Sequence, residues 1–164
     1  VKDLISIFFE ALEEQTPELI DEQVKLNFIG DISRFNKRLI NKIDKSSKAT
    51  EAYNPKLNLI IAVSYGGKWD IVNAVNKSNS KSNQKKKFTE KDLEENLETS
   101  NFPNPDLIIR TGGEKRLSNF YLWQSSYSEL YFSNRLWPDF TKKDLKKAIK
   151  DFFNRKRKFG IETG

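Results

Sequence analysis

The sequence predicts an α/β protein: an open, mostly parallel sheet with helices on both faces, incomplete at its N-terminus. Two observations lead there. Segments that alternate or run apolar like strands take turns with segments of helical periodicity, the pattern of strands joined by helical crossovers. The run LNLIIAVS, residues 57 to 64, is almost continuously apolar, as a strand covered on both faces would be. The N-terminal gap is expected because the chain opens without Met and directly in helical periodicity. No repeat or domain boundary divides the 164 residues, which are enough for one domain, 1–164, with a sizeable core.

Taken in order, Val1, Leu4, Ile5, Phe8 and Leu12 fall on one helical stripe that Phe9 widens, so residues 1 to 13 form an amphipathic helix. A core face is the plain reading and an apolar ligand channel lined by Phe8 or Phe9 the sharper one. Pro17 should close this helix. Val24 to Gly30 alternates as a strand, and Asp31 or Ser33 offers an N-cap to a helix buried through Ile32, Phe35, Leu39, Ile40 and Ile43. After the Asn54-Pro55 turn and the strand from Leu57, Tyr65, Gly66 and Gly67 break the run, and Trp69, Val72 and Val75 continue as a helix. Residues 77–87, KSNSKSNQKKK, lack periodicity and read as a flexible basic loop, a solvated face in preference to a nucleic-acid contact. TEKD (89–92) and TKKD (141–144) resemble capping boxes. The first should start a short helix ending near Thr99. The second should start a helix with Leu145, Ala148, Ile149, Phe152 and Phe153 on one side. The tail RKRKFG is either an anion contact or a frayed helix end.

Composition narrows the chemistry. Lys and Arg number 29 against 23 Asp and Glu, a net charge of +6, which favours an anionic partner. The chain has no Cys and no His, which excludes thiolate nucleophiles, imidazole bases, disulfides and the usual zinc sets. A metal here should be hard and oxygen-bound, such as Mg2+. No apolar run is long enough to span a bilayer, so the expected location is cytoplasmic.

The richest stretch is residues 104 to 140, NPDLIIRTGGEKRLSNFYLWQSSYSELYFSNRLWPDF. Arg110 ends the strand DLIIR, at the edge of a parallel sheet where ligands collect. Gly112 and Gly113 let the next loop turn sharply and bring backbone close to a ligand. Ser118 and Asn119 should cap a helix beginning near Phe120 and carrying Phe120, Trp123 and Tyr127, a stripe more often core than platform. Arg110 and Arg116 bracket that helix start, and two guanidinium forks near a hydroxyl suit a diphosphate. Glu114 could orient them; equally, Arg110, Glu114 and Arg116 could form a purely structural salt-bridge cluster. Glu129 opens the strand ELYF, where a carboxylate beside a diphosphate could reach Mg2+ or simply be a solvated charge.

RTGGEKRLSNFYLWQSSYSELYF followed by LWPDF resembles the signature of the cis-prenyltransferases, the undecaprenyl diphosphate synthase group. IGDISRF, YGGKWDIVNAV and NRKRKFG resemble other family segments in the same order, so the likeness covers essentially the whole chain as the C-terminal portion of such a domain. It implies elongation of an allylic diphosphate such as farnesyl diphosphate with isopentenyl diphosphate, giving a polyprenyl diphosphate for lipid-carrier and cell-wall synthesis. It implies further that Arg110, Arg116 and Ser118 hold the isopentenyl diphosphate, with Leu117 acting through its backbone. Glu129 would serve a magnesium site, from the neighbouring subunit or close to the interface of a homodimer, and the product would give a peripheral membrane contact. Lys115 stands where some members carry His, which puts a metal role there in doubt.

The family's opening strand and phosphate loop, with the catalytic aspartate and the groups for the allylic diphosphate, have no counterpart, so that aspartate is expected upstream of Val1 and this chain alone is expected to be inactive. A truncated or proteolysed form, an N-terminal half outside the sequence, and a divergent subunit that needs a partner are the explanations, in that order. The rival functions are a non-catalytic subunit or inactive fragment that binds isopentenyl diphosphate and, at a distance, a nucleic-acid-binding module; for the main reading no nucleic acid is expected.

Overall fold

The structure, a computed structural model, describes residues 2–51, 54–81 and 87–155, without the side chains of residues 2–6 and 81. Its chain divides into two compact units, Val1–Tyr65 and Gly66–Gly164.

The first unit contains helix α1 (Lys2–Asp21), strand β1 (Val24–Ile29), a 3-10 turn at Ile32–Arg34, helix α2 (Lys37–Ala49) and strand β2 (Leu57–Ala62). β1 and β2 pair in parallel from Val24 opposite Leu57 to Ile29 opposite Ala62. Leu26, Phe28 and Ile61 share the face on which both helices pack, through Phe9 and Leu12 of α1 and Ile43 of α2. Phe9 is 1% exposed and Leu26 0%, while Phe8 is 40% exposed, so Phe9 is the centre of the α1 stripe. The expected positions Val1, Leu4 and Ile5 lie outside the described residues and side chains.

Three local expectations fail in this unit. Pro17 does not close α1, which runs on to Asp21; the proline removes one helical N–H, and one missing bond does not end a helix whose Leu19 packs on the core beyond it. The cap of α2 is neither Asp31 nor Ser33 but Asn36, whose Oδ1 accepts from Leu39 N at 3.0 Å. Ser33 spends its hydroxyl on Asp31, Oγ to Oδ1 2.5 Å, within the intervening 3-10 turn. β2 is not covered on both faces at its start, where Leu57 and Leu59 are exposed.

The second unit contains α3 (Gly67–Lys81), α4 (Glu90–Glu94), β3 (Leu107–Arg110), β4 (Glu129–Phe132), a 3-10 turn at Trp137–Asp139 and α5 (Lys142–Asn154). β3 and β4 are also parallel, Leu107 opposite Glu129 and Arg110 opposite Phe132. The α/β class with parallel pairing stands, and among the described residues the strands make two two-stranded sheets. Both capping boxes form: Thr89 N donates to Asp92 Oδ2 at 2.9 Å and Thr141 N to Asp144 Oδ2 at 2.9 Å, each returned by the acid's N–H to the threonine hydroxyl. α4 stops at Glu94 rather than near Thr99, and turns follow. α3 continues to Lys81, so residues 77–81 are its last turn; 82–86 lie outside the described residues.

The apolar side of α5 is buried only at Ala148, with Leu145, Ile149 and Phe153 exposed. Ala74, Leu93 and Leu97 form the core of this unit, with Ile71, Val75 and Trp123 against it. Phe120 and Tyr127 are exposed, so only Trp123 of the expected aromatic stripe is core.

The helix expected from Phe120 does not form. Residues 118–127 are successive turns and bends, and Ser118, Asn119 and Tyr121 have φ of 48°, 64° and 46°. Left-handed residues cannot enter a right-handed helix, which overrides an aromatic spacing of three and seven.

Candidate anion-binding site

β3 delivers Arg110 to its C-terminal end, and the following loop folds back over the guanidinium. Arg110 Nη1 donates to the Arg116 carbonyl and, at 2.8 Å, to Ser118 Oγ. A guanidinium carries five N–H groups; among the described residues, Arg110 Nε and Nη2 make no hydrogen bond. One corner of the fork is therefore fixed by the loop while its other edge is open to two oxygens of an anion.

Arg116 Nη1 pairs with Glu114 Oε2. Both side chains are about half exposed or more, so solvent screens the pair, and it orients Arg116 more than it stabilises the fold. Arg110 takes no part in it. The two arginines are joined through the Arg116 carbonyl, not through a carboxylate, so the expected cluster of all three is not what forms. Leu117 is half-buried, and its N–H makes no hydrogen bond among the described residues.

The two glycines turn the loop back onto its neighbour. Gly112 and Gly113 have φ of 87° and 78°, the left-handed region that glycine enters without strain. Their N–H groups donate to Arg135 O at 2.7 Å and Ser133 O at 2.9 Å, the segment that follows β4. They fasten the loop to its neighbour and have no N–H left for a ligand.

Asn119 does cap a helix, but not the expected one. Its Oδ1 accepts from Lys68 N at 2.9 Å and its carbonyl from Gly67 N at 2.6 Å, the first residues of α3. That helix N-terminus is occupied by protein. One turn on, Asp70 is fully buried; its Oδ1 accepts from Glu98 N at 2.9 Å and its Oδ2 from Gln124 Nε2 at 3.1 Å. Gln124 Nε2 also donates to Thr99 Oγ1 at 2.9 Å. Burial, and then the charge of Asp70, pushes the Tyr121 phenol above its ordinary range.

Glu129 opens β4, and its Oε2 accepts from Arg155 Nη1 at 2.8 Å. Hydrogen bonds from this guanidinium to Glu129 and then Asp151 raise the Arg155 pKa. The sequence offered no partner for Arg155 because its contact lies 26 residues away; the rest of the tail expected to touch an anion, Lys156 to Gly160, lies outside the described residues. Asp70 and Gln124, 54 residues apart, were likewise not singled out; two adjacent glycines before a helix were the only signal that something packs there. Among the described residues no group of three His, Cys, Asp or Glu side chains converges on a metal position, so no protein-only magnesium cage is built. A lone carboxylate such as Glu129 would suit an ion whose remaining positions are filled by phosphate oxygens and water.

A parallel strand ending on a half-open guanidinium, closed by a turn with a hydroxyl, places the candidate site of an α/β protein at the carboxyl end of a strand. Residues 1–160 match the undecaprenyl diphosphate synthase model of the prenyltransferases. An isoprenyl transferase of Nitrosomonas europaea is 42% identical over 98% of this chain and 61% of its own length. A (2E,6E)-farnesyl-diphosphate-specific ditrans,polycis-undecaprenyl-diphosphate synthase of Shewanella oneidensis is 46% identical over 96% of this chain and 58% of its own. Lavandulyl diphosphate synthase from Lavandula x intermedia, solved with dimethylallyl diphosphate, superposes with a TM-score of 0.89 at 37% identity, covering 96% of this chain and 70% of that one. The chain belongs to the undecaprenyl diphosphate synthase family of prenyltransferases, and it spans about three fifths of the length of the curated relatives it matches. No described helix is long and apolar enough to cross a membrane.

Proposed function

We propose that this chain supplies the isopentenyl diphosphate half-site of an enzyme that elongates an allylic diphosphate, such as farnesyl diphosphate, into a cis-polyprenyl diphosphate for lipid-carrier and cell-wall synthesis. The observation that carries this reading is Arg110, held by the Arg116 carbonyl and Ser118 Oγ with Nε and Nη2 left open. Arg110 and Arg116 take the diphosphate oxygens, the Ser118 hydroxyl and the Leu117 N–H add neutral donors, Gly112 and Gly113 hold the loop, and Glu114 orients Arg116. In the reaction the allylic C–O bond breaks and diphosphate leaves with the electron pair. The isopentenyl double bond attacks the developing cation, and a proton is lost from the new chain. No nucleophilic side chain is needed, in keeping with a chain that lacks Cys and His; positioning and electrostatics carry such a step. Magnesium, when bound, neutralises diphosphate charge, and Glu129 is the carboxylate this chain offers it. A homodimer, a cytoplasmic location and a peripheral membrane contact through the product belong to the same reading.

The test is Arg116→Ala in the full-length protein. Loss of a charged hydrogen bond of about 1.5–3 kcal/mol should raise the KM for isopentenyl diphosphate by about ten- to a hundredfold. An unchanged KM overturns the assignment.

A further inference from the structure

The turn that carries Ser118 has a bond of its own, from Phe120 N to the Leu117 carbonyl at 3.1 Å, and is further held from outside. Ser118, Asn119 and Tyr121 are left-handed, a conformation that costs a non-glycine residue free energy unless its surroundings over-determine it. Those surroundings are the first turns of α3. Asn119 caps Gly67 and Lys68 through its carbonyl and Oδ1. A Cβ on Gly66 would lie 2.7 Å from Asn119 Nδ2, and one on Gly67 2.7 Å from Leu122 Cγ, so both glycines are what let the turn approach. Gln124 then reaches the buried Asp70 one turn along the helix, and Asp70 joins Glu98 N to the same node.

The geometry points to Asn119 as a positioning residue for the diphosphate site: α3 serves as a template that imposes the left-handed turn and so sets where Ser118 and the Arg116 carbonyl hold Arg110. This inference rests on the proposed function of that site. The Asn119 side-chain oxygen and carbonyl are engaged by α3, so it acts through its neighbour. Asn119 adjoins Ser118 in sequence, so releasing its cap frees the hydroxyl that Arg110 uses.

The experiment uses the full-length protein and steady-state kinetics with isopentenyl diphosphate and the allylic diphosphate varied separately. Asn119→Ala removes the side-chain acceptor for Lys68 N; Asn119→Asp keeps an oxygen there. Asn119→Ala should raise the KM for isopentenyl diphosphate by about three- to tenfold, the worth of one neutral hydrogen bond, while the KM for the allylic diphosphate holds. Asn119→Asp should restore most of the loss. An equal loss for both substrates, or no rescue by aspartate, overturns the proposal by reducing Asn119 to a general stability role. If the Asn119 variants leave the KM for isopentenyl diphosphate unchanged while Arg116→Ala raises it, the positioning role falls and the site assignment stands. If Arg116→Ala does nothing, the site assignment itself falls and takes the positioning role with it.

Discussion

Arg155 ties the end of α5 to the start of β4: its Nη1 lies 2.8 Å from Glu129 Oε2 and 3.1 Å from the Leu130 carbonyl, and its Nη2 is 2.6 Å from Asp151 Oδ2. Each member of the Glu129 pair is about one third exposed. The carboxylate proposed to meet magnesium is therefore already committed to a cation, and any metal must share it.

From that arrangement Arg155→Met should weaken the packing of α5 on β4. Four hydrogen bonds are lost, the fourth from Nε to Asp151 Oδ2, but partial exposure discounts each, so about 1–2 kcal/mol is expected, read as a shift in the denaturant midpoint of the full-length protein. Glu129→Gln keeps the shape and an acceptor, so it should cost less stability yet lower turnover at saturating substrate. Undiminished magnesium-dependent turnover in Glu129→Gln would leave the carboxylate a purely structural role.

Two glycine substitutions should differ for a stated reason. At Gly30, φ is 110° and an added Cβ would sit 2.1 Å from the Val63 carbonyl oxygen, which is backbone and cannot yield. Gly30→Ala should cost at least about 3 kcal/mol, combining strain with a forced parting of β1 and β2. At Gly112, φ is 87° but nothing lies within 4 Å of the added carbon, so Gly112→Ala should cost only the backbone term, about 1–2 kcal/mol. Thermal unfolding of both variants checks the order.

The Asp144 carboxyl is held below its ordinary range by the hydroxyl and N–H of Thr141. Because the folded value is the lower one, the unfolded chain takes up the proton first as pH falls. This contribution is fully present above the ordinary carboxylate range and is lost as pH drops through the folded value. Glu13, lowered chiefly by its hydrogen bond from Lys42, acts in the same direction. Asp144→Asn should lower stability in the neutral region, converge with wild type at acid pH and so flatten the acid limb of stability against pH; an acid limb identical to wild type would count against the carboxylate.

Asp70→Ala should be the most damaging polar change, because it removes the acceptor that Asp70 gives to Glu98 N and to Gln124 Nε2 in a largely buried place. The expected cost is about 2–4 kcal/mol, measured by chemical denaturation. Asp70→Asn should cost less than that.

The sequence carried what is local. The four strands fall where alternation and apolar runs placed them, and both capping boxes form because Thr89 with Asp92, and Thr141 with Asp144, lie within one turn. Arg110 was legible from its place at a strand end, and its bond to Ser118 spans only eight residues. What failed was decided at a distance or by competition. Asn119 has its partner 51 residues away, so its capping character was visible but the helix it serves was not. Phe120, Trp123 and Tyr127 have helical spacing, yet Asn119 and its neighbours follow α3 instead. Asp31 and Ser33 looked like caps for α2, and they satisfy each other before Asn36 is reached.

The connection between β3 and β4 also bears on how the chain folds. Parallel neighbours need a long crossover, usually a helix that can form early and alone; residues 111–128 contain none. Ordering such a segment costs roughly 1–2 kcal/mol per residue in backbone entropy, and its own turns return little of that. The pairing of Leu107 with Glu129 must therefore wait for α3, whose contacts are local and quick to form. Amide exchange should show α3 protected first and β4 last, so that the loop around Arg110 is the final part of this unit to acquire its shape.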